Sequence, residues 1–139
     1  MIINSIKIKN FQTYYGDVEF EFDKPLNKKN VILIGGLNGA GKTSFFSSVV
    51  LGLFGKNAQG IIFERSTGES LNESYESYLI EVFSNEAKKA NDIEMEISLS
   101  ITHEDDDIKI VRKWWFDNDI DEMLEIYMEK DGMITPLEI

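Results

Sequence analysis

The chain has 139 residues, of which 42% are hydrophobic and 12% aromatic, and its formal net charge is −11. That length supports one domain with a real core and excludes a large multidomain enzyme, and the apolar content is that of a globular protein and does not favour disorder. The absence of cysteine excludes disulfides and thiolate metal sites, while the single histidine, His103, forms no cluster and reads as a solvated strand-end residue.

Residues 1–11 alternate Ile2, Ile6 and Ile8 against Lys7 and Lys9, the period of a half-buried strand. The Tyr-Tyr-Gly-Asp stretch at 14–17 reads as a turn, and 18–22 as a second alternating strand. Pro25 and the polar residues 27–30 then lead into a wholly apolar run, Val-Ile-Leu-Ile at 31–34. Such a run is expected of a strand buried on both faces of a parallel sheet. Two amphipathic strands followed by an apolar central one predict a mixed sheet.

The apolar run opens directly onto Gly36-x-x-x-x-Gly41-Lys42-Thr43, the spacing of a phosphate-binding loop, and residues 44–54 continue as a helix despite Gly52. Strand, glycine-rich loop and helix in that order are the context the motif requires. Gly36, Gly39 and Gly41 let the backbone approach an anion closely, and the helix that follows turns its positive end toward it. Lys42 is placed to reach the β- and γ-phosphates of a nucleoside triphosphate, and the Thr43 hydroxyl to complete Mg²⁺ coordination.

Residues 55–68 read as loop, punctuated by Gly60, Ser66 and Gly68 around an apolar Ile61-Ile62-Phe63. Ser70 or Asn72 is a candidate cap for a helix through Tyr75, Tyr78, Leu79, Val82 and Phe83, whose spacing gives one apolar stripe for packing. The polar stretch 85–92 is expected to be a mobile or variable loop. The last third is β: a strict alternation over 93–102, a solvated hairpin tip at 103–107, a return strand over 108–116, and a third strand over 123–130 turning at 131–132. The acidic tip lacks the glycine and terminal glutamate of a calcium loop.

The charge is unevenly placed. Residues 1–90 carry ten acidic and ten basic side chains, whereas 91–139 carry fifteen and four. An excess of that size repels a phosphate backbone, so strong DNA binding by this chain alone is not expected. Lys7, Lys9, Lys24, Lys28 and Lys29 form either a local basic face or scattered solvated positions on edge strands. No apolar run approaches the ~20 residues that span a bilayer and no signal peptide precedes the first strand, so a cytoplasmic protein without a membrane partner is expected.

The Asn10-Phe11-x-x-Tyr14-Tyr-Gly opening, the doubled glycine Gly35-Gly36 before the loop, the Tyr75-x-x-Tyr-Leu79 helix and the Ile110-Val-Arg-Lys-Trp114 strand resemble the DndD family. These are ATPases of bacterial DNA phosphorothioation, within the SMC/RecF-like ABC ATPase heads. The likeness covers essentially all of 1–139. It implies an α/β fold of P-loop NTPase, ABC/SMC-head type: an N-terminal lobe with a mixed sheet and an antiparallel β-subdomain. The lobe divides into strands, Walker A loop and first helix (1–55), loop and helix (56–90), and antiparallel strands (91–139).

By the same resemblance Gly36, Asn38, Gly39, Gly41, Lys42, Thr43 and Ser44, with Ala40 inside the loop, hold ATP and Mg²⁺, with Thr43 on the metal. Relatives often carry arginine after the Asn-Phe pair, where this chain has Gln12. No catalytic residue is assigned within the chain. Trp114-Trp-Phe-Asp117 is a poor Walker B, since Asn118 follows in place of glutamate, and 66–69 (Ser-Thr-Gly-Glu) lacks the first glycine of a signature motif. The expected partners are a C-terminal lobe of the same protein beyond a coiled coil, a second head in a homodimer, and DNA through the full assembly. ATP hydrolysis then belongs to the full-length protein, coupled to DNA sulfur modification. The alternatives are a head of a DNA-repair or chromosome-organisation ATPase, and a nucleotide-driven dimerisation switch with little turnover.

Overall fold

In the computed structural model the described residues are 1–22, 33–36, 41–63, 75–130, 132–137. Within them the backbone is one six-stranded sheet in the order β2-β1-β3-β4-β5-β6, with four α-helices. The strands are β1 (Ile2–Phe11), β2 (Tyr14–Glu21), β3 (Glu94–His103), β4 (Asp106–Phe116), β5 (Ile120–Lys130) and β6 (Met133–Pro136). The helices are α1 (Lys42–Phe54), α2 (Ala58–Phe63), α3 (Tyr75–Val82) and α4 (Asn85–Lys89).

The period-2 patterns fix the register. Ile6 pairs with Leu99 and Ile8 with Ile97, and on the other side of β3, Leu99 pairs with Ile110 and Met95 with Trp114. One face of the sheet is therefore apolar, and Ile6, Ile8, Met95, Ile97, Leu99 and Trp114 on it are fully buried under the helices. The opposite face carries a charged ladder. Lys7 reaches Asp17 (3.6 Å) and Glu96 (3.9 Å), Lys9 reaches Glu94 (3.7 Å), and Lys113 reaches Glu96 (3.6 Å). Lys7 and Lys9 are thus ion-paired strand lysines, not a free basic face; Lys24, Lys28 and Lys29 lie outside the described residues.

Several expectations need correction. Every strand pairing among the described residues is antiparallel, where a mixed sheet was expected, and β3–β6 join β1 and β2 in one continuous sheet. Of the predicted buried strand at 31–34, Leu33 and Ile34 lie in no strand and are 94% and 46% exposed, because no neighbouring strand among the described residues covers them. The turn after β1 falls at Gln12 and Thr13, and Tyr14 is already in β2, because Asn10 and Gln12 at φ 57° and 48° reverse the chain earlier than the glycine at 16.

Residues 55–63 are a 3-10 turn and α2, not loop, and 85–89 is helix, not a mobile segment. The second error has a clear cause. Ser84 is buried and its hydroxyl accepts the Ala87 N–H as an N-cap, with Lys88 and Lys89 at the helix C-terminus. β5 begins three residues before the predicted strand, and β6 was not foreseen. α3 forms where its apolar stripe placed it, with Tyr78, Leu79 and Val82 buried; its candidate caps Ser70 and Asn72 lie outside the described residues.

Candidate nucleotide site

The site is built at the start of α1. Gly41 is the residue before the helix and adopts φ 97°, a left-handed conformation that side chains with a Cβ resist. Its carbonyl receives two hydrogen bonds, from the Phe45 N–H (2.8 Å) that opens the helix and from the Tyr14 hydroxyl (2.8 Å). A Cβ at Gly41 would stand 2.9 Å from that hydroxyl, so the glycine is needed for space as well as for conformation. Burial raises the Tyr14 pKa above the usual phenol value, which keeps the hydroxyl a donor.

Lys42 and Thr43, the first two residues of α1, are exposed, while Ser44 is turned inward with its hydroxyl 3.5 Å from that of Thr13. No side chain caps this helix end and no acidic residue occupies its first turn. The backbone N–H groups and positive end of the helix thus meet an ammonium and a hydroxyl with no carboxylate in the helix's first turn to compete. That arrangement fits a phosphate with an associated Mg²⁺. Gly36, the first residue of the loop motif, lies in exposed irregular backbone, and Asn38, Gly39 and Ala40 lie outside the described residues.

Thr13 and Tyr14 are the residues whose position here the sequence did not disclose. Periodicity assigned Tyr14 to a turn, and only the Asn10-Phe11-x-x-Tyr14 likeness hinted that it mattered. The turn they belong to is itself anchored away from the site. Gln12 N–H donates to the Val82 carbonyl (2.7 Å) and Ser84 N–H to the Asn10 carbonyl (2.9 Å), so α3 and α4 brace the turn that touches the loop. The Asn10 side chain, fully buried, donates to Asp92 (2.9 Å) and the Glu94 carbonyl (2.8 Å), and accepts from the Gly16 N–H (2.9 Å). Asn10 thus satisfies both ends of its amide.

α1 presents two unlike faces. Toward the sheet it is built of small residues, Ser44, Ser47, Ser48 and Gly52, with Val50 and Leu51. Its outer face carries Phe45, Phe46 and Val49, which with Ile3, Phe22, Ile34 and Lys42 line an apolar groove of about 390 Å³. Phe45 is gripped edge-on by Phe20 (5.1 Å, 82°) and Phe22 (6.2 Å, 89°) of the β2 side, while Phe46 stays 53% exposed. A larger hollow, about 900 Å³, lies over the charged-ladder face of the sheet, lined by Lys109, Lys113, Trp115 and Tyr127, and contains none of the loop residues.

The weak Walker B stretch is structural. Trp114 is fully buried and donates its indole N–H to the Tyr75 hydroxyl (3.3 Å), and Asp117 lies in the exposed turn between antiparallel β4 and β5. The acidic tip beyond His103 is a two-residue turn at Glu104 and Asp105, and no group of metal-ligating side chains occurs among the described residues. No helix among them is long and apolar enough to cross a membrane. Residues 66–69 lie outside the described residues.

Comparison with curated proteins gives no match to this chain. A protein-family comparison matches residues 5–139 to a family described as an AAA domain, whose members are SMC/RecF-like ATPases and whose membership implies nucleotide binding, usually with Mg²⁺. With almost its whole length matched, the exposed Lys42-Thr43 pair at a left-handed glycine and its α/β fold, the chain belongs to this AAA-domain family of SMC-like ATPases.

Proposed function

We propose that this chain is the ATP-gripping, Walker A lobe of a P-loop head of the ABC/SMC type. The observation that carries the reading is Gly41 at φ 97°, which starts α1 so that Lys42 and Thr43 both face solvent at an uncapped, acid-free helix N-terminus. Lys42 would hold the β- and γ-phosphates, Thr43 the Mg²⁺, and Gly36, Asn38, Gly39, Ala40, Gly41 and Ser44 the remaining phosphate contacts. Bound Mg²⁺ supplies charge neutralisation between the phosphates.

In this reading the outer face of α1 and the exposed Leu33 and Ile34 support a C-terminal lobe of the same protein, which covers the apolar groove and brings the water-activating carboxylate. Two such heads close as a dimer around ATP, and DNA engages the assembly rather than this acidic lobe. The likeness of the Asn10–Tyr14, Tyr75–Leu79 and 110–114 segments to DndD supports coupling to DNA sulfur modification in a cytoplasmic protein. The test is turnover. The isolated chain should release phosphate from Mg-ATP no faster than its Lys42→Ala variant, and mixing with the C-terminal half should raise the rate at least tenfold. Steady hydrolysis by the chain alone, well above the variant, would contradict the division of labour.

A further inference from the structure

A second concave surface lies away from the loop, between α3, α4 and the turn joining β4 to β5, and encloses about 500 Å³. Its floor is apolar. Phe83 and Phe116 stack across it at 4.4 Å, with Ile80 and Ile93 standing 52% and 44% exposed beside them. Its rim is acidic, with Glu76 on α3, Asp92 before β3, and Asp117 and Asp119 in the turn. None of these four carboxylates forms an ion pair among the described residues. The one basic residue among the described rim residues, Lys88, is held by a hydrogen bond from its ammonium to the Ile80 carbonyl at 2.9 Å; it keeps its charge, and the four carboxylates outnumber it.

We infer that this groove docks a cationic amphipathic helix of a partner protein, whose apolar stripe covers Ile80, Phe83, Ile93 and Phe116 while its lysines or arginines meet the acidic rim. Charge selects this occupant over the others. A nucleic acid or an anionic membrane surface would bring phosphates against four carboxylates. A second copy of the chain carries a net charge of −11, and the chain's own neighbouring segment 64–74 has three glutamates and one arginine. A helix laying i, i+3, i+4 and i+7 side chains into an apolar floor needs only these elements, and flanking cations add attraction over about a Debye length, 8 Å at physiological salt.

The test is fluorescence anisotropy of a labelled 14-residue leucine–lysine amphipathic peptide titrated with the 139-residue chain, beside a leucine–glutamate peptide of the same pattern. Saturable binding of the lysine peptide alone is expected. An Ile80→Ser/Ile93→Ser variant should bind about tenfold more weakly, as loss of central apolar anchors does. An Asp117→Asn/Asp119→Asn variant should also bind more weakly and lose much of the salt dependence. Glu104→Gln/Asp105→Asn, at the distant β3–β4 tip, should bind like the parent. Should the apolar variant unfold, amide shift mapping on the parent chain replaces it, with changes expected at 80–93 and 116–120. Equal affinity across the variants, shifts confined elsewhere, equal binding of the glutamate peptide, or a self-dimer that the lysine peptide displaces would each overturn the assignment.

Discussion

Arg112 on β4 donates its Nε–H to the carbonyl of Gly52 on α1 at 2.9 Å, across 60 positions of sequence. The guanidinium lies under the C-terminal turn of the helix, is only 13% exposed, and is held from its other side by Glu122 on β5 at 3.7 Å. Glu122 in turn accepts the Tyr75 hydroxyl at 2.7 Å, and that hydroxyl accepts the Trp114 indole N–H. Burial first, and then the bond to Glu122, raise the Tyr75 pKa well above the usual phenol range. A polar chain thus joins α3, β4, β5 and the helix that carries the loop, and it places a cation where the helix dipole favours one.

Replacing Arg112 with alanine removes the donor to Gly52 and the largely buried guanidinium, and leaves the exposed Glu122 without its cation. A loss of about 2 kcal/mol is expected. Arg112→Lys should recover only part of it, since an ammonium lacks the fork that serves both partners. Urea unfolding followed by tryptophan fluorescence measures both.

Gly52 shows how a propensity argument can point the wrong way. Alanine is the better helix former by about 1 kcal/mol, yet a Cβ there would stand 2.7 Å from Ile97 Cγ2 and 2.7 Å from Leu99 Cδ1, both fully buried. Overpacking of this kind costs about 1–3 kcal/mol, so Gly52→Ala should lower stability in spite of its higher intrinsic helicity. A thermal melt that rises would show that α1 can lift from the sheet without penalty.

At Gly41 two costs coincide, the left-handed φ and the 2.9 Å approach to the Tyr14 hydroxyl. Gly41→Ala should weaken nucleotide affinity more than tenfold while costing about 1–3 kcal/mol of stability. Tyr14→Phe removes one hydrogen bond to the Gly41 carbonyl and should cost about 1 kcal/mol with a smaller effect on affinity.

The Asp92 carboxylate accepts bonds from the Glu94 N–H (3.1 Å) and the Asn10 amide (2.9 Å), which lower its pKa below the ordinary 3.8. A depressed folded-state pKa adds stability that is fully present above the ordinary carboxylate value and is lost as pH falls through the folded value. Acid unfolding of the chain should therefore become less steep below about pH 4 in Asp92→Asn, which lacks that titration. An unchanged slope would mean that other carboxylates carry the acid sensitivity.

Much of this fold was legible. The alternation in β1, β3 and β4 gave the strands and their buried faces, because one side of the sheet is covered by helices and the other by paired charges. The helix after the glycine-rich stretch was legible, and it starts at Lys42 directly after Gly41; residues 37–40 lie outside the described residues. Nothing in the sequence pattern marks the role of Arg112, since its partners on α1 and β5 are set by tertiary packing alone. The strand expected at 31–34 is not seen at Leu33 and Ile34, which have no strand neighbour among the described residues; Val31 and Ile32 lie outside them. The cap that makes 85–89 a helix is the Ser84 hydroxyl, a signal that the polar composition of 85–92 hides.

The claim on which the rest depends is that Lys42 at the start of α1 holds a nucleotide. Isothermal titration of the chain with Mg-ATP, beside Lys42→Ala, addresses it most directly. Binding in the range of about 10–1000 μM is predicted for the parent, and at least tenfold weaker binding for the variant with an unchanged thermal melt. Equal binding by the two proteins, or none by a folded parent at millimolar Mg-ATP, would contradict it.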